Sequence, residues 1–212
     1  MAHYCPARPL QLTPLPGYVL ALHPTPFHFR SLTVSALLKL ALGMDWISEK
    51  FGIFASWTVL LAALISAANA FVRYGFDWSS NSFIEIQWYL FAYMVMVGAP
   101  LVLKLNEHVR VDLIYGKLKG NRPVYVDLFG LVFFLLPVIG VLAYLSWPYF
   151  LNTFISGEQS QNAGGLIRWP AVLALPLGFA MVWLQGLAEI IKRVAYLQGK
   201  FQMDTHYEKP LQ

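Results

Sequence analysis

The sequence is poor in charge and in the residues that carry most enzyme chemistry. Only 12% of its 212 residues are charged and 58% are hydrophobic, whereas a soluble domain has about 25% charged residues. Aromatic residues make up 16%, which argues against intrinsic disorder. The single cysteine, Cys5, excludes disulfide exchange within the chain. The five histidines all lie outside the long apolar runs, so haem ligation between membrane helices is excluded as well.

The charges leave five long gaps, and four of them predict the fold. These four uncharged runs are 51–72, 86–103, 128–157 and 169–188. The fifth run, 9–29, contains five prolines and cannot be a helical span. About 20 apolar residues in a helix cross the hydrocarbon core of a bilayer. Because lipid offers no hydrogen bonds to the backbone, such spans should be helices. The sequence therefore predicts an all-α integral membrane protein with four transmembrane helices, at about 51–73, 84–104, 126–149 and 169–191.

The segments around this membrane domain, 51–193, have different compositions. Residues 1–30 contain many prolines, which break helices, and are predicted to be a disordered tail. Residues 31–50 place their charges on one side of a helix, which is typical of a helix lying in the cytoplasmic interface. The alternative is that they extend the first span into the cytosol. Residues 194–212 form a C-terminal tail.

The basic residues predict the orientation. The segment before the first span, the loop from Lys104 to Arg122 and the end of the chain from Lys192 onward hold 13 of the 15 Lys and Arg residues, and the opposite side holds only Arg73 and Arg168. Positive residues accumulate in cytoplasmic segments, so both termini and the middle loop are predicted to be cytoplasmic. Topology and anionic lipid headgroups thus explain the net charge of +4 without a nucleic-acid partner.

Several isolated polar residues fall near the ends of the predicted spans. Asn69 and Arg73 lie at the outer end of the first span and Glu85 opens the second, so the opposite charges are expected to pair across helices. Gln185 and Glu189, near the inner end of the fourth span, are expected to bond a neighbouring helix. We favour these structural roles over an ion pathway. The sequence has no phosphate loop, nucleophile elbow or metal-binding His pair, so no catalytic, metal or cofactor site is predicted.

The string Asn106–Asp112 (NEHVRVD), which follows Gly98–Pro100, is the most distinctive in the chain. It resembles the signature of the small, DctQ-like membrane subunit of TRAP (tripartite ATP-independent periplasmic) transporters. Agreement with this family extends over roughly 37–197 and includes 69–74, Glu85 with Trp88, and 158–160. The stretches 146–148 and 162–170 are similar to the branch labelled for mannitol or chloroaromatic compounds.

The resemblance implies a non-catalytic subunit in the bacterial inner membrane. Such a subunit binds a large permease subunit (DctM-like), which holds the sodium and substrate sites and moves the solute in an elevator fashion. A periplasmic substrate-binding protein delivers the solute, usually an organic acid. The small subunit itself would need no cofactor, since the large subunit uses the sodium gradient. It would act as a fixed scaffold in contact with membrane lipids.

The resemblance also suggests two groups of contact residues. The cytoplasmic group is expected to hold the inner end of span two against its neighbours, the large subunit or lipid headgroups. The outer group is expected to pair helices or to dock the binding protein. The cytoplasmic group is Asn106, Glu107, His108, Arg110 and Asp112, and the outer group is Asn69, Arg73, Glu85, Glu158 and Arg168.

Two other classes of protein remain open. One is a stand-alone four-span protein, either structural and lipid-interacting or a small channel built by oligomerisation. The other is a membrane enzyme, which would have to use an isolated carboxylate without a cofactor. Neighbouring reading frames for a permease and a secreted binding protein would favour the transporter.

Overall fold

The protein is described by a computed structural model that covers residues 32–78, 80–106, 121–162 and 164–202. Over these ranges the fold is helical, apart from an isolated β-bridge between Gln159 and Ile167. The helices are α1 (Leu32–Phe76), α2 (Asn81–Leu105), α3 (Arg122–Gly130), a π-helical turn (Leu131–Leu135), α4 (Leu136–Ser156) and α5 (Trp169–Leu197).

Within the described residues, four helical segments are long and apolar enough to cross a membrane. They are Ala36–Phe76, Asn81–Leu105, Arg122–Ser156 and Trp169–Leu197. Each predicted span lies inside one of them. The prediction of an all-α protein with four membrane-spanning helices is therefore confirmed, whereas the side of the membrane on which each end lies stays a prediction.

Helix α1 is much longer than a membrane span. Its 45 residues correspond to about 68 Å at about 1.5 Å per residue, roughly twice the hydrocarbon thickness. The helix continues through residue 50, so the structure has one helix where the sequence analysis left open a separate interfacial helix over 31–50. No proline interrupts α1, and Asp45 and Ser48 are buried in it before the predicted span begins.

Span three is irregular just before Pro137. There the backbone N–H of Leu136 donates to the carbonyl of Leu131, five residues back. Proline has no N–H, and its ring clashes with the carbonyl of the preceding helical turn. The wider π turn accommodates both effects, as single π turns inside α-helices commonly do. Span three is thus one continuous helical segment with a π turn next to Pro137.

Helix α5 lies at the centre of the described fold. It packs against α1, α2 and α4, while α1 and α2 also pack against each other. Of the 18 most apolar consecutive residues of α5, 44% are buried inside the protein, whereas the corresponding share in span three is 6%. Small residues allow this close packing: a Cβ atom added at Gly178 would lie 2.6 Å from the carbonyl oxygen of Met96 in α2. Glycines at such crossings are typical of membrane helices.

Candidate functional site

A cluster of buried polar side chains joins α1, α3 and α5 at one end of the molecule. We call it the inner cluster, after the cytoplasmic side predicted for this end. Apart from Asp127 its members are buried, and they include both signs of charge. Its members are Asp45, Ser48, Asp127, Gln185, Glu189, Lys192 and Arg193.

Lys192 and Gln185 connect α5 to α1 in this cluster. The Lys192 Nζ atom lies 2.9 and 3.0 Å from the two carboxylate oxygens of Asp45 and 2.5 Å from Glu189 Oε1. Gln185 Nε2 donates to Asp45 Oδ1 at 2.8 Å, and Ser48 Oγ donates to Gln185 Oε1 at 2.8 Å. The side chains of two helices therefore satisfy one another away from water.

Arg193 extends the inner cluster to span three. One of its terminal nitrogens contacts Glu189 Oε2, and Nη2 lies 3.3 Å from Asp127 Oδ2 in α3. Removing one partner of a buried ion pair leaves an uncompensated charge, which is strongly destabilising. The cluster thus fixes three helices at one relative height.

The sequence analysis found only part of this cluster. Gln185 bonds a neighbouring helix as predicted, through Asp45 and Ser48 of α1, whereas Glu189 contacts Lys192 and Arg193 of its own helix. The sequence pattern placed Asp45 on the polar side of an interfacial helix, and Lys192 and Arg193 were counted with the C-terminal tail. Those three positions are corrected, because all three residues are buried. The available signal was the spacing of three and four residues from Glu189 to Lys192 and Arg193, which puts opposite charges on one helix face.

The other end of the molecule is organised around Glu85 of α2. Its side chain is buried, with 2% of the residue exposed. Asn162 Nδ2 donates to Glu85 Oε1 at 2.8 Å and the backbone N–H of Leu166 donates to Oε2 at 2.7 Å. Both donors belong to residues 157–168, which connect α4 to α5 and which we call the outer loop.

Further contacts hold the outer loop to α2. The hydroxyls of Ser82 and Tyr89 donate to the carbonyls of Gly164 and Ile167 at 2.9 and 3.0 Å. Within the loop, Ser160 N–H donates to the Leu166 carbonyl at 2.9 Å. The loop therefore folds back on itself as a short hairpin that lies on the end of α2.

The structure brings two of the predicted outer residues together, Glu158 and Arg168, and leaves Arg73 apart from Glu85. The expected pair of Glu85 with Arg73 is not formed, because the outer loop occupies both Glu85 oxygens and Arg73 is exposed. Glu158 and Arg168 form an ion pair on the exposed surface of the loop, and Tyr149 lies 3.3 Å from Arg168 Nη2. The Asn69 Oδ1 atom is buried and accepts no hydrogen bond.

Of the predicted cytoplasmic group, Asn106 is the member that the structure describes. It caps α2 in the left-handed conformation, with φ of 60°, a position that asparagine tolerates better than most residues. Its N–H donates to the Leu103 carbonyl at 3.2 Å. Two residues earlier, Lys104 pairs with Glu49 of α1 at 2.5 Å. Glu107, His108, Arg110 and Asp112 lie outside the described residues.

Residues 62–195 match the family profile of the DctQ component of tripartite ATP-independent periplasmic transporters. The chain belongs to the DctQ family. No significant match was found among curated proteins or among solved structures. The matched range includes Glu85, the outer loop and the α3 and α5 members of the inner cluster, while Asp45 and Ser48 lie before it.

This DctQ chain is a component of a multi-pass membrane transporter, and its family is one of transporter subunits and not of enzymes. Over the described ranges, the buried side-chain polar atoms without a partner are Asn69 Oδ1 and Arg193 Nε. The described residues contain no group of three potential metal ligands.

Proposed function

We propose that this DctQ-family chain is the small scaffold subunit of a secondary transporter in the bacterial inner membrane. It would brace a large, DctM-like permease subunit, which carries out sodium-coupled uptake of an organic acid or related solute. A periplasmic binding protein would deliver that solute to the assembled complex. The small subunit needs no cofactor for this role.

The family match carries the proposal, and the placement of polar groups supports a scaffold. A solute pathway needs polar groups along the spans that are free to bind. Here the inner cluster and the Glu85 contacts lie at opposite ends of the helices and are satisfied mainly by one another. Both sets of contacts fix helices, which is the property that a stationary support requires.

Span three offers the widest surface for the large subunit or lipid. It packs principally against α5, and Phe134, Val141 and Leu145 are each more than half exposed. In lipid such a surface has no hydrophobic drive to associate, so van der Waals packing would bind the partner. The proposed partner would therefore bind α4 through close packing of complementary apolar surfaces.

The proposed orientation puts the inner cluster at the cytoplasmic face and the outer loop at the periplasmic face. The contact of Lys104 with Glu49 and that of Lys192 with Asp45 gather basic residues at the first of these ends. Arg168 lies at the other end. This distribution of basic residues agrees with the positive-inside rule. The same orientation places the outer loop on the side from which the binding protein would approach.

Co-purification tests the proposal. The tagged chain is expressed with the permease encoded beside it, solubilised in mild detergent and purified. We expect a stable complex that binds the purified binding protein. An unrelated four-span protein with the same tag serves as the control. Recovery of the chain alone, with no permease, would contradict the proposal and favour a stand-alone structural protein or an oligomeric channel.

A further inference from the structure

Glu85 occupies an unusual position for a carboxylate. It lies in the second turn of a membrane helix, is buried, and uses both oxygens to accept hydrogen bonds from the outer loop. Hydrogen bonds to an ionised carboxylate are about twice as strong as bonds between neutral groups. The donors come from Asn162 and Leu166, on the two sides of the turn of the loop.

The turn between these two donors is tightly folded at its two glycines. Gly164 has φ of 73°, a conformation that favours glycine. A Cβ atom at Gly165 would lie 2.5 Å from the carbonyl oxygen of Ser160. The loop is therefore folded tightly, and Glu85 fastens this folded turn to α2.

The fastened turn determines where the exposed charges of the loop lie. Arg168 N–H donates to the Glu158 carbonyl at 3.0 Å, and the two side chains pair on the outer surface. Gln159 and Gln161 are exposed beside them. The result is a polar surface with one charge of each sign and two amides, which suits a partner whose surface is equally mixed in charge.

We propose that Glu85 is a positioning residue that pre-forms the outer loop as the docking surface for the binding protein, without touching that protein itself. This inference rests on the proposed function and deepens it. A loop that is already ordered loses less conformational entropy on binding, so the same contacts give a higher affinity.

The test measures loop order and docking separately. A nitroxide label is attached at Gln161→Cys, after Cys5→Ser removes the native thiol, and its spectrum is recorded in the complex with the permease in nanodiscs. Docking is measured by titrating the purified, fluorescent binding protein. The first test variant is Glu85→Gln, which replaces one of the two acceptor oxygens by an amide nitrogen. The second is Asn162→Ala, which removes the donor of the bond to Glu85 Oε1 and leaves the sequence of α2 unchanged.

The matched control is Asp77→Asn. It neutralises an exposed carboxylate at the same end of the molecule, in the connection between α1 and α2. Asparagine tolerates the positive φ of 53° at this position. The control should leave both the label spectrum and docking unchanged.

We expect both test variants to mobilise the label and to raise the Kd for the binding protein about five- to tenfold, with an unchanged yield of complex. An unchanged spectrum would overturn the inference, because the loop would then hold its fold without Glu85. A mobile label with an unchanged Kd would overturn it too, because loop order would then be irrelevant to docking.

A further variant separates this inference from the proposed function. If Glu158→Ala with Arg168→Ala abolishes docking while Glu85→Gln leaves the Kd unchanged, the proposed function stands and the positioning role of Glu85 is refuted. If the binding protein does not bind even the unmodified complex, the proposed function fails and the inference fails with it.

Discussion

Replacing Lys192 by methionine should test the inner cluster most directly. Methionine has a similar length but no charge, so Asp45 would keep only the Gln185 amide as a partner. The two side chains of the pair are 7% and 12% exposed, so water can do little to compensate. Breaking a buried pair costs about 3–5 kcal/mol, and we expect a loss of unfolding free energy in this range.

The double variant Asp45→Asn with Lys192→Met distinguishes an ion pair from simple packing. With both charges removed, no uncompensated charge remains between these two residues, and replacing a buried pair by neutral groups is often close to neutral. The double variant should therefore be more stable than Lys192→Met alone. Stability is measured by titration with SDS in mixed micelles, followed by tryptophan fluorescence, in a double-mutant cycle.

The second ion pair between α1 and another helix provides the control. Lys104→Met removes the partner of Glu49, whose side chain is 54% exposed, compared with 18% for Lys104. An exposed pair contributes about 0–1 kcal/mol, so this variant should lose far less stability. Equal losses of unfolding free energy for Lys192→Met and Lys104→Met would show that burial does not strengthen the ion pair of the inner cluster. Strictly additive losses for Asp45→Asn and Lys192→Met would show that these two residues do not interact.

Two further predictions concern the outer surface and the helix crossing. Glu158→Ala with Arg168→Ala should weaken docking of the binding protein while leaving permease co-purification intact. Unchanged docking would show that the outer loop is not the docking surface. Gly178→Ala should lower the SDS midpoint, since its Cβ would lie 2.6 Å from the Met96 carbonyl. Gly43→Ala, where nothing lies within 4 Å, should instead stabilise by up to about 1 kcal/mol through helix propensity. An equal change of the SDS midpoint for Gly178→Ala and Gly43→Ala would contradict the close approach of α5 and α2 at Gly178.

The membrane spans could be read from the sequence because they depend on local properties. A run without charge, such as 128–157, must avoid water over the full thickness of a bilayer, and it must form a helix to satisfy its backbone. The predicted spans accordingly lie within α1, α2, the α3–α4 segment and α5. The family signature at Asn106–Asp112 was equally local, and residues 62–195 matched the same family.

The partners of the polar residues were decided by the tertiary structure. The position of a residue along its span predicts its depth in the membrane. It does not predict which neighbouring helix or loop the side chain faces in the folded protein. Arg73 and Glu85 are near the same end, yet Arg73 is exposed and Glu85 binds the outer loop. In the same way Asp45 and Lys192, 147 residues apart, meet only because α5 packs against α1.

The low charge content therefore has two different consequences. Together with the prolines of 9–29, it determined from the sequence alone that four helices are apolar enough to span a membrane, because a long uncharged helix is stable only in lipid or inside a protein. The packing around α5 then decided how the few remaining charges are used, since burial makes an unpaired charge costly and forces Asp45, Glu189, Lys192 and Arg193 to satisfy one another.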